Sequence, residues 1–149
     1  MRRGTLLLLT LALILGVGLA VWRLWPGAVP TPPPAFDGPV VQVPSGQQVF
    51  YVETVQNIPG QGLVYRFRFV APAIARDGGT VTAEAAQADM QALCDSFAVA
   101  RIPATGPQPR QIIISLSDRA VPFGEPVPEA TQFFEAYRIE AGACVWEMF

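Results

Sequence analysis

The chain has no histidine and no lysine: all ten basic residues among its 149 are arginine. Without histidine there is no Ser-His-Asp triad, no Cys-His pair and no imidazole-ligated metal; without lysine there is no Schiff base. Cysteine is restricted to Cys94 and Cys144, too far apart for a Cys-x-x-Cys redox motif. Two sulfurs with no imidazole make a poor zinc site. From Phe36 onward seven arginines face twelve acids, a net charge of −5 and the wrong sign for nucleic acid. No cofactor-binding motif is recognisable, and no residue can be assigned as catalytic.

What the chain does contain is unevenly placed. Residues 4–22 are a 19-residue stretch without a charge, preceded by Arg2 and Arg3 and followed by Trp22-Arg23-Leu24-Trp25. As a helix this stretch reaches roughly 28 Å at 1.5 Å per residue, enough to cross the hydrocarbon of a bilayer. Aromatic residues at its outer end and arginines before it suggest a signal anchor over residues 1–25, with the N-terminus cytoplasmic and the remainder periplasmic. The alternative is a signal peptide cut after Ala20, leaving a periplasmic or secreted protein. Proline dominates residues 26–42, where Pro30-Thr31-Pro32-Pro33-Pro34 favours a stiff polyproline spacer; a proline-rich recognition segment is the other reading.

Residues 43–149 read as a single small α+β domain with one packed helix on a mainly antiparallel sheet, in the order β-β-α-β-β-β. Strands are expected at 47–56, 63–71, 111–117, 131–140 and 143–148. In the second of these Tyr65, Phe67 and Phe69 alternate with Arg66 and Arg68, so an aromatic face looks at the core and an arginine face looks away. The first two strands form a hairpin, and Ala141-Gly142 is short enough for a tight turn between the last two. Thr82 precedes a helix expected to reach Phe97 or Ala98, with Ala86, Met90, Leu93, Cys94 and Phe97 on its buried stripe.

Few residues are candidates for chemistry. Cys94 faces the sheet and Cys144 lies in the last strand, so a disulfide is expected in an oxidising compartment; two separate buried thiols, or a redox or metal role, are the alternatives. Arg66 and Arg68 share one strand face, where they would either grip a carboxylate or phosphate or pair across strands with an acid such as Glu53. Asp118, Glu125 and Glu129 sit in or beside a proline-rich loop anchored by Phe123; acids brought together there could bind a cation or act as acid and base. Ser115 and Ser117 have no base visible in the sequence to make either a nucleophile.

Several stretches resemble a proteobacterial family of unknown function: RFRFVAPAI at 66–74, DMQALCD at 89–95, QIIISLSD at 111–118, VPFGE at 121–125, ATQFFEAYRI at 130–139 and Cys144-Val145-Trp146. The resemblance covers roughly residues 43–149 and implies no established activity. Some members carry an acetolactate synthase label, yet that chemistry uses a multi-domain thiamine-diphosphate site for which this chain has neither the length nor a motif.

Taken together, the residues point to a non-enzymatic domain anchored in the bilayer by residues 4–22. It would serve interaction or assembly with an unknown protein of the cell envelope. The rival is a small carboxylate-dependent hydrolase using the loop from Asp118 to Glu129.

Overall fold

The computed structural model describes residues 38–56, 60 and 62–148. The apolar stretch expected to anchor the chain, and residues 26–37 of the proline-rich spacer, lie outside them. Among the described residues no helix is long and apolar enough to cross a membrane.

Six strands form one sheet in sequential order: β1 (Val40–Val41), β2 (Val49–Val55), β3 (Val64–Val70), β4 (Gln111–Ser117), β5 (Gln132–Glu140) and β6 (Ala143–Glu147). The α-helix α1 (Ala83–Leu93), the single one among the described residues, connects β3 to β4. The fold is therefore α+β as expected, with two differences. β1 is an additional edge strand, within the stretch that proline content marks as spacer. β3 and β4 run parallel, residue for residue from Val64↔Gln111 to Val70↔Ser117, so the sheet is mixed. A helical crossover carries the chain back to the starting end of the sheet, and this is what a parallel neighbour requires. The other four pairings are antiparallel.

Alternation in the strands sorts the two faces as expected. Tyr65, Phe67 and Phe69 of β3 share one face with Ile112, Ile114 and Leu116 of β4 and with Tyr137 of β5, all buried. α1 covers that face with Ala86, Met90 and Leu93. Thr82 caps the helix by accepting a hydrogen bond from the Ala85 amide, and Glu84 lies in the first turn, where a negative charge favours the helix dipole. Gly79 fits the approach to α1 because a Cβ there would come within 2.1 Å of the Ala75 carbonyl oxygen. After Leu93 the helix widens into a π-turn over Cys94–Ala98 and tightens into a 3-10 turn over Val99–Arg101. The π-turn carries Phe97 into an aromatic cluster, with ring centroids 5.0 Å from Tyr51, 5.2 Å from Phe69 and 6.3 Å from Phe67. The guanidinium of Arg101 lies 3.3 Å from the centroid of the Phe97 ring and donates to the Phe97 carbonyl.

Two tethers fix the periphery. Cys94 and Cys144 form a disulfide, with Cα atoms 6.1 Å apart, joining the end of α1 to β6. Elsewhere Asp89, fully buried on α1, accepts hydrogen bonds from the Ser45 backbone amide at 2.9 Å, the Ser45 hydroxyl at 2.6 Å and the Gln47 side-chain Nε2 at 2.6 Å. These hold the β1–β2 connection against the helix. The β5–β6 turn is the expected two-residue one, with Ala141 at φ 50° and Gly142 at φ 84°, the pair of positive angles that suits a hairpin twist.

Candidate functional site

The face of the sheet opposite α1 carries the polar residues of β3 and β4. Register builds it row by row. Glu53, Arg68, Ser115 and Phe134 stand side by side across β2, β3, β4 and β5. Arg66, Ile113 and Ala136 form the next row, and Val70, Ser117 and Gln132 flank the first row on its other side. Strands lie about 4.8 Å apart, so Arg68 and Phe134 are roughly 10 Å from each other across the row.

The loop between β4 and β5 folds back over this face. Its turn is set by Pro122 and Gly124: the Glu125 amide donates to the Pro122 carbonyl, and Gly124 has φ 80°, the positive angle a type II turn needs at its third position. The turn places Phe123 over both arginines, its ring centroid 5.4 Å from the Arg66 guanidinium carbon and 5.5 Å from that of Arg68. Between loop and sheet lies a pocket of about 310 Å³ bounded by Arg66, Arg68, Ser115, Phe123, Gln132 and Phe134, with Glu125 also on its wall.

The two arginines differ in their partners. Arg68 is mostly buried; it forms an ion pair with Glu53 and donates to the Val121 carbonyl, so it ties the loop to the sheet. Arg66 makes no hydrogen bond or ion pair among the described residues; its one contact of this kind is the Phe123 ring. Partial burial lowers the Arg66 guanidinium from its ordinary value, and the neighbouring charge of Arg68 lowers it further; it remains a cation at neutral pH. The hydroxyl of Ser115, a residue only 5% exposed, and the side-chain amide of Gln132 likewise have no hydrogen-bond partner among the described residues. Three unengaged donors therefore border one space. Phe123 and Phe134 beside them are 44% and 49% exposed, high values for side chains of this size.

Of the residues singled out in the sequence, Arg66, Arg68, Phe123 and Glu125 border this pocket and Asp118 does not. Asp118 is buried at the end of β4. Its carboxylate is gripped by both arms of the Arg119 guanidinium, at 3.0 and 3.1 Å, and it borders a separate open pocket with Asp77, Arg76 and Glu129. The acids of the loop are thus divided between two places. Among the described residues no group of three or more acids and cysteines is arranged to hold a metal ion. Ser115, Gln132 and Phe134 were not anticipated as site residues. The alternation of Ile113, Ser115 and Ser117 put Ser115 on the right face, yet nothing local in β5 gave the register that brings Gln132 and Phe134 beside it.

Residues 27–149 match the model of a protein family described as a family of unknown function, DUF6497. No curated protein and no solved structure matches the chain significantly.

Proposed function

The chain belongs to DUF6497, a family of unknown function, and we propose that it is a non-enzymatic binding domain, anchored in the inner membrane by residues 4–22, that offers the Arg66 pocket to a partner protein in the cell envelope. One observation carries this reading: unpaired polar donors and half-exposed aromatic rings converge on an open pocket instead of being used up in the fold. Ion pairing alone would leave Arg66 neutralised as Arg68 is. The absence of histidine and lysine from the sequence supports binding over acid–base chemistry. The rival hydrolase has weaker support, since Asp118 is engaged by Arg119 and Glu125 borders a different pocket.

Site-directed photo-crosslinking in intact envelopes tests the reading. A photoreactive residue replacing Phe134 should give a discrete protein adduct, and one replacing Gln87, on the exposed side of α1, should give none. Equal adducts from both positions, or none from Phe134, would remove the pocket as the interaction site. A periplasm-dependent reporter fused after Phe149 should be active; activity of a cytoplasmic reporter alone would reverse the placement.

A further inference from the structure

The chemistry of the pocket specifies the ligand group more narrowly, and this inference rests on the binding reading above. We propose that the Arg66 pocket binds a single carboxylate borne on a compact apolar body, such as an aromatic acid or the free C-terminus of a peptide ending in an apolar residue.

Charge counting selects the anion. Of the two guanidiniums that border the pocket, Arg68 already has Glu53 as counter-ion, which leaves Arg66 as the uncompensated one. Glu125 on the wall adds a negative charge. Arg66 is then the one guanidinium left to meet an anion, and the nearby Glu125 opposes any further negative charge, which favours a monoanion over a dianionic phosphate. The donors fit the same group. A carboxylate has two acceptor oxygens and about four lone-pair sites. The guanidinium fork of Arg66 can occupy two of them in parallel, and the Ser115 hydroxyl and Gln132 amide supply further donors from the sheet.

The walls select the body. Phe123, Phe134, Val121 and Pro122 make much of the lining apolar, and a small inorganic anion would leave those surfaces wet. A volume of about 310 Å³ lies at the lower end of the range for small-ligand sites, so the body is about one aromatic ring and a short linker. Phe123 serves both parts: its ring face holds the guanidiniums in place, and its exposed part meets the apolar body.

The test is a titration of the ¹⁵N-labelled full-length chain in uncharged detergent, followed by amide shifts. Hydrocinnamate should produce saturable shifts at Ser115, Gln132, Val121 and Phe123 to Glu125. Hydrocinnamamide, which has the same body without the charge, and inorganic phosphate should each bind at least about tenfold more weakly, as expected when a charge-assisted hydrogen bond is lost. Arg66→Gln should abolish saturation and Arg66→Lys should restore part of it, while Glu125→Gln should tighten binding a few-fold by removing the competing acid. Equal binding of acid and amide to the unaltered protein, stronger binding of phosphate, or unchanged affinity in Arg66→Gln would overturn the proposal. A hexapeptide ending in phenylalanine distinguishes the source. Tighter binding than hydrocinnamate, lost on C-terminal amidation, identifies a peptide terminus; weaker binding identifies a free acid. A Phe134 adduct that survives Arg66→Gln would remove the carboxylate while leaving the binding domain standing.

Discussion

The carboxylate of Asp95 accepts a hydrogen bond from the backbone amide of Cys144 at 2.8 Å, one residue beyond the cysteine to which Cys144 is bonded. Gln91, one helical turn earlier, donates to the Cys144 carbonyl at 2.9 Å and to Asp95 at 3.0 Å. Two side chains thus satisfy both backbone groups of a residue in the outermost strand, as a neighbouring strand would. The disulfide sits inside this clasp, with Cys94 fully buried and Cys144 nearly so.

Replacing both cysteines by alanine should lower stability by about 2–4 kcal/mol, because the bridge restricts a long loop in the unfolded chain. Urea unfolding of the oxidised protein against the double variant measures this. Thiol titration of the oxidised protein should find no free thiol until reductant and denaturant are both present.

Asp89→Ala should cost about 1–3 kcal/mol, since it removes the buried acceptor of three hydrogen bonds. Ser45 is exposed and recovers hydration, which keeps the loss from being larger. The unfolding midpoint should fall, and hydrogen exchange should quicken at Ser45 and Gln47 more than in β4.

The two arginines should separate cleanly in stability. Arg68→Gln breaks the link among β2, β3 and the loop and should cost about 1–2 kcal/mol, with faster exchange through the loop of Val121 and Phe123. Arg66→Gln removes no ion pair or hydrogen bond and should stay within about 0.5 kcal/mol of the parent. Thermal unfolding of both variants checks this; a large loss in Arg66→Gln would mean that the cation is structural.

Tyr137 gives the pH dependence. Its hydroxyl is buried without a hydrogen-bond partner among the described residues. Burial raises the phenol well above its ordinary value, with the charges of Glu135 and Asp95 adding to the shift. Below about pH 10 the phenol is protonated in both folded and unfolded chains, and its contribution is constant. Above that pH the unfolded chain releases a proton that the folded chain keeps, so stability falls by about 1.4 kcal/mol per pH unit. Urea unfolding should show a level contribution from pH 9 to about 10 and a one-proton fall above it in the parent, a fall that Tyr137→Phe lacks.

The elements whose spacing repeats over several residues were legible in the sequence. The stripe from Ala86 to Phe97, the alternation of Tyr65, Phe67 and Phe69, the Ala141-Gly142 turn and the Cys94–Cys144 pair follow from local pattern and from the facing of helix and sheet. The parallel pairing of β3 with β4 was not, because alternation says which face a residue takes and nothing about the direction of the next strand. Two-residue β1 is too short to have a pattern, and the register shift between Tyr51 and Glu53 leaves no mark in composition. Asp89 shows the limit within a legible helix: a buried carboxylate makes sense only once Ser45 and Gln47, over forty positions away, are placed against it. The arginine pair was visible as a pair; its division into one engaged and one free guanidinium depends on where Glu53 and Val121 arrive.

Across the parallel seam Val64 stands opposite Gln111, 47 positions later in the chain. The β2–β3 and β5–β6 pairings close over short connections, while this central one waits for the crossover to be made. Pairings of that kind dominate folding time, because the entropy of closing the loop is lost before the contacts form. During synthesis β3 therefore leaves the ribosome with β2 available to one edge while the edge that takes β4 is still unpaired. A bare aromatic strand is a template for pairing with another copy. Arg66 and Arg68, set between Tyr65, Phe67 and Phe69, put like charges on every such copy and oppose its stacking.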